Sequence, residues 1–232
     1  NLPKKYAIPA HPAPDRIYTA IPKHLKFFPR EWEDSAAVKI SGNIYDAGFD
    51  SIYVECKKDG AIFRRLSMPL KYQDGKAGFS FAPRIHAELS EYSFLLSLKS
   101  QIEDKRIGFR DSIVCGDVYL INGQSNSIAN NLGYTNEFFR TYGHNFSQNP
   151  GDTLWEIAST DVSFGGGAQA GSIGVRLQEL IGNTYHIPVC IINGGVGGTS
   201  ISLHQRDKLN PENLNTIYGA MLYRVNRSGL AR

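Results

Sequence analysis

Two uninterrupted apolar runs, each stopping at a glycine-containing turn, constrain the fold of this chain more than any other feature. Residues 118–121 read Val-Tyr-Leu-Ile, and residues 189–192 read Val-Cys-Ile-Ile. Such short apolar runs, rich in β-branched and aromatic residues, are typical of parallel strands that are covered on both faces. Gly123 and Gly194 follow the two runs and allow the chain to turn tightly. The pattern predicts an α/β fold with a parallel sheet in the second half of the chain.

The segment between the two runs predicts the helical crossover that parallel strands need. Residues 154–158 are predicted as a strand and residues 172–180 as a helix, with Ser172 as its N-cap and Gly182 as its stop. Four apolar residues fall on one face of that helix: Ile173, Leu177, Leu180 and Ile181. The glycine-rich residues 165–171 follow the strand. They either shape a ligand cleft or form a flexible connection.

The chain ahead of residue 113 has a different pattern, with short alternating runs separated by turn residues. Asp59-Gly60 and Asp74-Gly75 are predicted hairpin turns. The runs predict an antiparallel, sandwich-like module, and they cover residues 38–44, 51–56, 62–66, 78–81 and 92–98. We therefore expect a Pro-rich extended leader at residues 1–30, an all-β domain at residues 31–112 and an α/β domain at residues 113–232.

Ser125 lies where the first apolar run gives way to a predicted helix entrance. Backbone N–H groups without a helical partner converge at such a position, together with the positive end of the helix. A hydroxyl there can attack a carbonyl whose developing oxyanion these groups stabilise. The alternative is that Ser125 only caps the helix, as serine often does.

The string Gly116-Asp117-Val118-Tyr119 followed by Gly123-Gln124-Ser125-Asn126 resembles the first block of the SGNH hydrolases, closest to their sialate O-acetylesterase and carbohydrate acetylesterase branch. Residues 188–201, which contain Gly-Gly-Thr-Ser-Ile, resemble the second block. The resemblance implies that Ser125 is the nucleophile and that its N–H forms part of the oxyanion hole. Gly197 or Gly198 is expected to supply a second N–H. A dinucleotide-binding loop is disfavoured, because Ser200 stands where its last glycine would be needed.

The resemblance implies a partial flavodoxin-like hydrolase domain that removes O-acetyl groups from sugars, with water and no cofactor. It also implies an extracytoplasmic location and an Ig-like preceding domain. Gln124 and Asn126 are candidate sugar-binding residues, and His204 is a candidate for lining the substrate pocket. The substrate is expected to be an acetylated carbohydrate, either sialic acid or another glycan such as xylan.

The catalytic base that a serine nucleophile requires has no recognisable position in this chain. The family supplies it from an Asp-x-x-His motif, and no Asp here is followed by His three residues later. His204 and Asp207 occur in the reverse order and are expected to be surface neighbours on a helix, and His144 is expected in a solvated loop. The base is therefore expected outside the chain, through the missing C-terminal part or through self-association at an exposed sheet edge. The alternative is a catalytically inert glycan-binding or assembly module.

Composition excludes several other classes of function. A formal charge of +3 from dispersed Lys and Arg residues gives no footprint for nucleic-acid binding. The histidines lack the spacing of metal ligands, so no metal site is predicted. No apolar run approaches the length of a membrane span. The three cysteines form no disulfide framework, and Cys115 and Cys190 are expected to be buried thiols.

Overall fold

The computed structural model describes residues 16–129, 136–143, 149–160 and 170–230. His144, residues 1–15 of the predicted leader and residues 165–169 of the glycine-rich connection lie outside these ranges. The described residues are rich in β-structure, with few helices, and their largest sheet mixes parallel and antiparallel strands.

The strands, in chain order, are β1 (Arg16–Ala20), β2 (Phe27–Pro29), β3 (Ser35–Ala37), β4 (Ile40–Ile44), β5 (Ser51–Lys58), β6 (Ala61–Pro69), β7 (Ala77–Phe81), β8 (Arg84–His86), β9 (Tyr92–Lys99), β10 (Asp104–Ile121), β11 (Phe139–Tyr142), β12 (Trp155–Ile157) and β13 (Val189–Asn193). The α-helices are α1 (Gly171–Tyr185) and α2 (Ile217–Ser228). Single 3₁₀ turns cover Ser125–Ile128 and Ile201–His204.

The first half of the chain is antiparallel, as its alternating runs predict. Strands β1, β4 and β7 form one sheet, while β6, β5, β9 and the first part of β10 form consecutive strands of the largest one. Inward-facing side chains from both sheets belong to one hydrophobic cluster, including Ile40 and Phe79 from the first sheet and Val54 and Leu96 from the second. Alternation along β5 produces this arrangement, because every second residue is buried.

Both predicted turns are confirmed by their backbone conformations. Asp59 and Gly60 have φ values of 47° and 80°, and they join β5 to β6. Asp74 and Gly75 have φ values of 50° and 74°. Two successive residues with positive φ are the signature of a type I′ turn. The second turn closes only the local Gln73–Lys76 bridge, since β6 pairs with β5 and β7 pairs with β4.

Strand β10 joins the antiparallel and parallel parts of the largest sheet. Its first part pairs with β9, residues 114–116 pair with β2, and residues 117–121 pair in parallel with β13. The pairing with β9 is irregular between Arg110 and Ile113, where Ser112 has a φ of 53°. The strand thus runs through the predicted boundary at residues 112 and 113. The division into two domains stays a prediction.

The parallel pairing of the two apolar runs is confirmed, with Val118 opposite Cys190. The strand predicted at residues 154–158 was expected to be parallel to these runs, and this direction is wrong. Strand β12 lies at the predicted place but is antiparallel to β11. The parallel neighbour on the far side of β13 is β11, which the sequence pattern missed.

Helix α1 is longer than predicted, and the predicted face is correct only in part, since Leu177 and Ile181 pack against the core. Ile173 and Leu180 are 54% and 49% exposed, while Gly174, Val175 and Gln178 are buried. The small residues bring the helix close to the sheet. An ideal Cβ at Gly182 would lie 2.8 Å from Cε1 of Phe139.

The predicted ends of α1 are also wrong. Ala170 occupies the N-cap position in place of Ser172. Gly182 lies inside the helix, which ends at Tyr185. The C-cap is His186, a left-handed residue whose N–H donates to the Gly182 carbonyl. The close packing against Phe139 therefore explains why position 182 is a glycine, whereas the sequence pattern predicted that Gly182 ends the helix.

The three cysteines are buried free thiols, as predicted for Cys115 and Cys190. Burial raises the pKa of Cys56 to about 11 and that of Cys115 to about 12. Burial also raises the pKa of Cys190. No helix among the described residues is long and apolar enough to cross a membrane.

The outer edge of β10 beyond Gly116 pairs with no other strand of the described chain. The Asp117 N–H donates to the Pro188 carbonyl, and the Ile121 carbonyl accepts from Gly194. Because alternate residues of a strand face opposite edges, the backbone groups of Val118 and Leu120 point away from β13. Leu120 is 52% exposed. We refer to residues 117–121 as the free edge.

Candidate functional site

Ser125 lies four residues beyond the end of β10, at the start of a single 3₁₀ turn. Its side chain is exposed, and its Oγ donates to Oε1 of Gln124 over 3.2 Å. The expected helix entrance is therefore only one turn long, with Gln124 at its N-cap position and no side-chain capping bond. The interpretation of Ser125 as a capping residue is wrong, and its hydroxyl faces solvent.

The glycine loop, residues 194–198, follows β13 and lies against the turn that carries Ser125. The Gly194 N–H donates to the Ile121 carbonyl over 2.8 Å, and the Val196 N–H donates to the Gly123 carbonyl over 2.9 Å. These bonds continue the pairing of the two parallel strands past their ends. The two sequence blocks thus meet at the carboxyl ends of β10 and β13.

Gly197 is the loop residue that brings the backbone beside Ser125. An ideal Cβ on Gly197 would lie 4.0 Å from Cβ of Ser125 and 3.7 Å from Cδ1 of Ile128. Gly198 is exposed with a φ of 73°, and an ideal Cβ there would meet nothing within 4 Å. Within the described chain, the N–H groups of Ser125, Gly197 and Gly198 have no hydrogen-bond acceptor. They remain available to a ligand oxygen.

Asn193 fixes the backbone beneath the site and is fully buried. Its Nδ2 donates to the carbonyls of Ser127 over 2.6 Å and Ala170 over 2.9 Å, and its Oδ1 accepts from the Gly195 N–H over 2.8 Å. One side chain thus holds the serine turn, the start of α1 and the glycine loop together. Buried amides satisfied in this way specify a single arrangement.

Gly195 allows this close approach. An ideal Cβ there would lie 2.0 Å from Oγ of Ser127, which is itself bonded to the Gln124 carbonyl over 2.7 Å. A Cβ at Gly195 would therefore force the side chains of Ser127 and Ile128 to move, since Cγ2 of Ile128 would lie 2.7 Å away.

Arg224 of α2 hydrogen-bonds to the backbone of the same region, a role that the sequence did not predict. Its buried guanidinium donates from Nη2 to the Asn193 carbonyl over 2.9 Å, and Nε donates to the Ala220 carbonyl over 3.4 Å. Burial lowers the pKa of Arg224 to about 10, opposed by the charge of Asp152. An arginine in an amphipathic helix is usually predicted to be exposed to solvent, so the sequence pattern does not indicate that Arg224 is buried against Asn193.

His204 is not on the surface, where the expected pair with Asp207 would place it, and its role in lining a substrate pocket stays a prediction. The His204 side chain is buried, with Nδ1 lying 2.8 Å from Oδ1 of Asn122 and Nε2 lying 2.8 Å from Oγ1 of Thr199. Thr199 Oγ1 in turn donates to the Val196 carbonyl over 2.6 Å. Both ring nitrogens are occupied, so His204 ties the end of β10 to the segment that follows the glycine loop.

Asp207 has no bond to His204 and instead organises its own turn. Its Oδ1 accepts from the N–H groups of Leu209 and Asn210, and its Oδ2 accepts from the Asn213 amide. The Asn210, Asn213 and Leu209 bonds lower the pKa of Asp207. The expected surface pair on a helix is therefore wrong.

Gln124 and Asn126 are both exposed beside Ser125. In the described chain, no histidine hydrogen-bonds to Ser125. No cluster of three or more His, Cys, Asp or Glu residues that could hold a metal ion occurs within the described ranges. The site contains a hydroxyl, three available N–H groups and two polar side chains.

Among solved structures, the chain is similar to a carbohydrate acetylesterase from Xanthomonas citri, with 14% identity and a TM-score of 0.43 over 90% of this chain and 48% of that one. It is also similar to a protein from Arabidopsis thaliana, with 16% identity and a TM-score of 0.35 over 48% of this chain and 50% of that one. The match covers about half the length of each of these proteins. Likenesses this distant carry no argument about the reaction. No protein-family model matches the sequence, and no curated protein is significantly similar to it.

Proposed function

We propose that this chain carries the nucleophile and oxyanion hole of a serine esterase that removes O-acetyl groups from carbohydrates. The observation that carries the proposal is the placement of Gly197 beside Ser125, with an ideal Cβ separation of 4.0 Å. An exposed hydroxyl next to backbone N–H groups without acceptors is the arrangement that acyl transfer requires. The resemblance of the two sequence blocks to SGNH hydrolases supplies the acetylated sugar as substrate.

In this mechanism, Oγ of Ser125 attacks the acetyl carbonyl carbon while a base takes the hydroxyl proton. The N–H groups of Ser125 and of Gly197 or Gly198 stabilise the oxyanion. The ester C–O bond breaks, and the sugar oxygen takes the proton from the protonated base. Water then attacks the acetyl-serine, which releases acetate and restores the hydroxyl. No cofactor takes part.

The base is proposed to come from outside the described chain, as the histidine of an Asp-x-x-His motif. The bonds of His204 to Asn122 and Thr199 favour this assignment over His204 itself. The free edge, with exposed Leu120, favours association with further strands, either from a C-terminal part or from a second copy. An extracytoplasmic location follows from the resemblance alone.

A second candidate is a catalytically inert glycan-binding or assembly module. It is favoured by the absence of a histidine bonded to Ser125 in the described chain. Gln124 and Asn126 are exposed and would then hydrogen-bond to sugar hydroxyls. A module of this kind would bind sugars at the surface around Ser125 and would have no catalytic base.

Hydrolysis of p-nitrophenyl acetate and of acetylated sugars tests the proposal. We compare the 232-residue chain, its Ser125→Ala variant and the protein with any residues that the gene encodes after Arg232. Activity of the longer form that Ser125→Ala abolishes supports the esterase with an external base. Activity of the short chain that depends on Ser125 contradicts the external base. Inactivity of every form favours the binding module.

A further inference from the structure

A cavity of about 380 Å³ lies where β2 leaves β10, at the other end of the parallel segment from Ser125. Arg30, Glu31, Trp32, Asp34 and Asp117 line it. The Arg30 N–H donates to the Gly116 carbonyl over 2.9 Å, and the pairing of β2 with β10 ends here. This depression is open to solvent, and its lining is mostly polar.

Trp32 is fully exposed at the tip of this turn. An indole that buries no surface contributes nothing to folding through the hydrophobic effect. Single exposed apolar residues are common, so exposure alone does not indicate a ligand. The rigidity of the turn and the polar surroundings of Trp32 provide two further arguments.

Two arginines, Arg30 and Arg84, form ion pairs with carboxylates of this turn. Arg30 binds Asp117 through Nε over 2.6 Å and Nη2 over 3.0 Å, and its Nη1 binds Asp34 over 2.7 Å. Arg84 binds Glu31 over 3.1 Å and Oγ of Ser35 over 2.7 Å. The Glu31 N–H donates to the Ser35 carbonyl, and the Asp34 N–H donates to the Glu31 carbonyl. The backbone that carries Trp32 is thus preorganised, which lowers the entropic cost of binding.

The geometry points to a subsite for a neutral oligosaccharide, with Trp32 as the stacking platform and the surrounding carboxylates as hydroxyl acceptors. Aromatic side chains with open faces bind apolar ring faces, and ionised carboxylates form strong bonds with hydroxyl donors. A protein partner fits less well, because Trp32 is the only apolar residue lining the cavity within the described chain.

The charges around Trp32 disfavour acidic sugars. Among the described residues, the ion pairs of this turn join four carboxylates, Glu31, Glu33, Asp34 and Asp117, to only two cations, Arg30 and Arg84. The guanidinium of Arg30 already forms a bidentate pair with Asp117, so it is not available for the carboxylate of an acidic sugar. The inference rests on the proposed function in its choice of sugar as ligand, and it selects acetylated neutral glycans over sialic acid.

The subsite would bind a part of the glycan remote from the ester. Asp117 and Ile121 are about 13 Å apart along β10, at about 3.3 Å per residue, and Ser125 lies four residues further. Binding energy from a remote part of the substrate can support catalysis at the reacting group. Hydrolysis of p-nitrophenyl acetate does not involve this subsite.

Tryptophan fluorescence tests the inference, because the chain has only two tryptophans and Trp155 is buried against Tyr142. We titrate the Ser125→Ala protein, which cannot deacetylate a ligand, with xylotetraose, cellotetraose and 3′-sialyllactose. A neutral tetrasaccharide is expected to change the Trp32 emission, and the signal is expected to vanish in Trp32→Phe. By calorimetry, Trp32→Ala should weaken the affinity roughly tenfold, about 1.4 kcal/mol. Tyr45→Ala, which removes another exposed aromatic ring, should not.

Three outcomes of the sugar titrations overturn the inference. They are an unchanged emission with both neutral sugars, binding that survives Trp32→Ala, and preference for sialyllactose. An emission that responds only to protein concentration would also overturn it, because it indicates a contact between copies. Saturable sugar binding without esterase activity in any form refutes the esterase proposal and leaves the subsite standing.

Discussion

Gly197 lies directly beside Ser125, so that a methyl group on Gly197 would come into ordinary contact with the serine Cβ at 4.0 Å. Two residues earlier, Gly195 has no such room, because the same methyl group would lie 2.0 Å from Oγ of Ser127. The two glycines have different physical roles. Gly195 permits the packing of the site, and Gly197 leaves its N–H accessible.

Gly195→Ala is expected to destabilise the protein by about 1–3 kcal/mol through overpacking. Gly197→Ala is the matched control, and we expect a change below about 1 kcal/mol, since restricting the unfolded chain offsets the small contact. Urea unfolding monitored by circular dichroism measures both. Equal effects of the two substitutions would contradict the assignment of separate roles.

His204→Ala removes the bonds to Asn122 and Thr199. Because His204 is buried, we expect a loss of about 1–3 kcal/mol in the free energy of unfolding. Gln205→Ala is the control, since Gln205 is exposed and adjacent. The idea that His204 ties the glycine loop to β10 fails if thermal unfolding of both variants matches that of the wild type.

The ends of β10 and β13 were predicted well from the sequence, because the residues that signal burial and turning are neighbours in the chain. The apolar runs beside Ser125 and Gly197 and the flanking glycines report burial and turning directly. The hairpin at Asp59 and Gly60 was predictable for the same reason. No residue outside these segments is needed to read them.

Strand β11 was missed because its burial depends on a distant partner. Phe139-Arg140-Thr141-Tyr142 contains an arginine and a threonine, yet all four residues are buried. Arg140 donates from Nη2 to Oε1 of Glu91 over 2.9 Å and to the Ser112 carbonyl over 3.1 Å. Glu91 lies 49 residues before Arg140, and nothing in the local sequence pattern indicates that the two side chains pair. The role of Arg224 was hidden for the same reason.

Arg140→Met is expected to cost roughly 2–3 kcal/mol. Removing one partner of a buried pair costs about 3–5 kcal/mol, and we reduce this figure because the Glu91 side chain is one-third exposed. The matched control is Glu179→Gln, which breaks the surface pair between Arg176 and Glu179 and should cost less than about 0.5 kcal/mol. Chemical denaturation compares them. Similar losses would show that the buried position of Arg140 has no energetic importance.

The pH dependence of stability should carry a signature of Glu91. Burial raises the pKa of Glu91 above its ordinary value of 4.5, although Arg140 acts in the opposite direction. A carboxyl with a raised folded-state pKa contributes stability below its unfolded pKa, and this contribution is lost as pH rises through the folded-state pKa. Relative to Glu91→Gln, the wild type should therefore lose stability as pH increases from about 4 upward. The opposite slope in paired thermal melts would mean that the ion pair outweighs burial.

The free edge of β10 predicts association of the 232-residue chain with itself. Val118 and Leu120 present backbone groups that pair with no other strand of the described chain, and Leu120 adds exposed apolar surface. A lysine at the edge of a sheet opposes strand pairing through charge and solvation. Leu120→Lys should therefore shift sedimentation toward the monomer, whereas Leu180→Lys on the exposed side of α1 should not. A wild-type chain that stays monomeric at high micromolar concentration would exclude a second copy as the partner of this edge. A strand from another part of the protein would then be the remaining candidate.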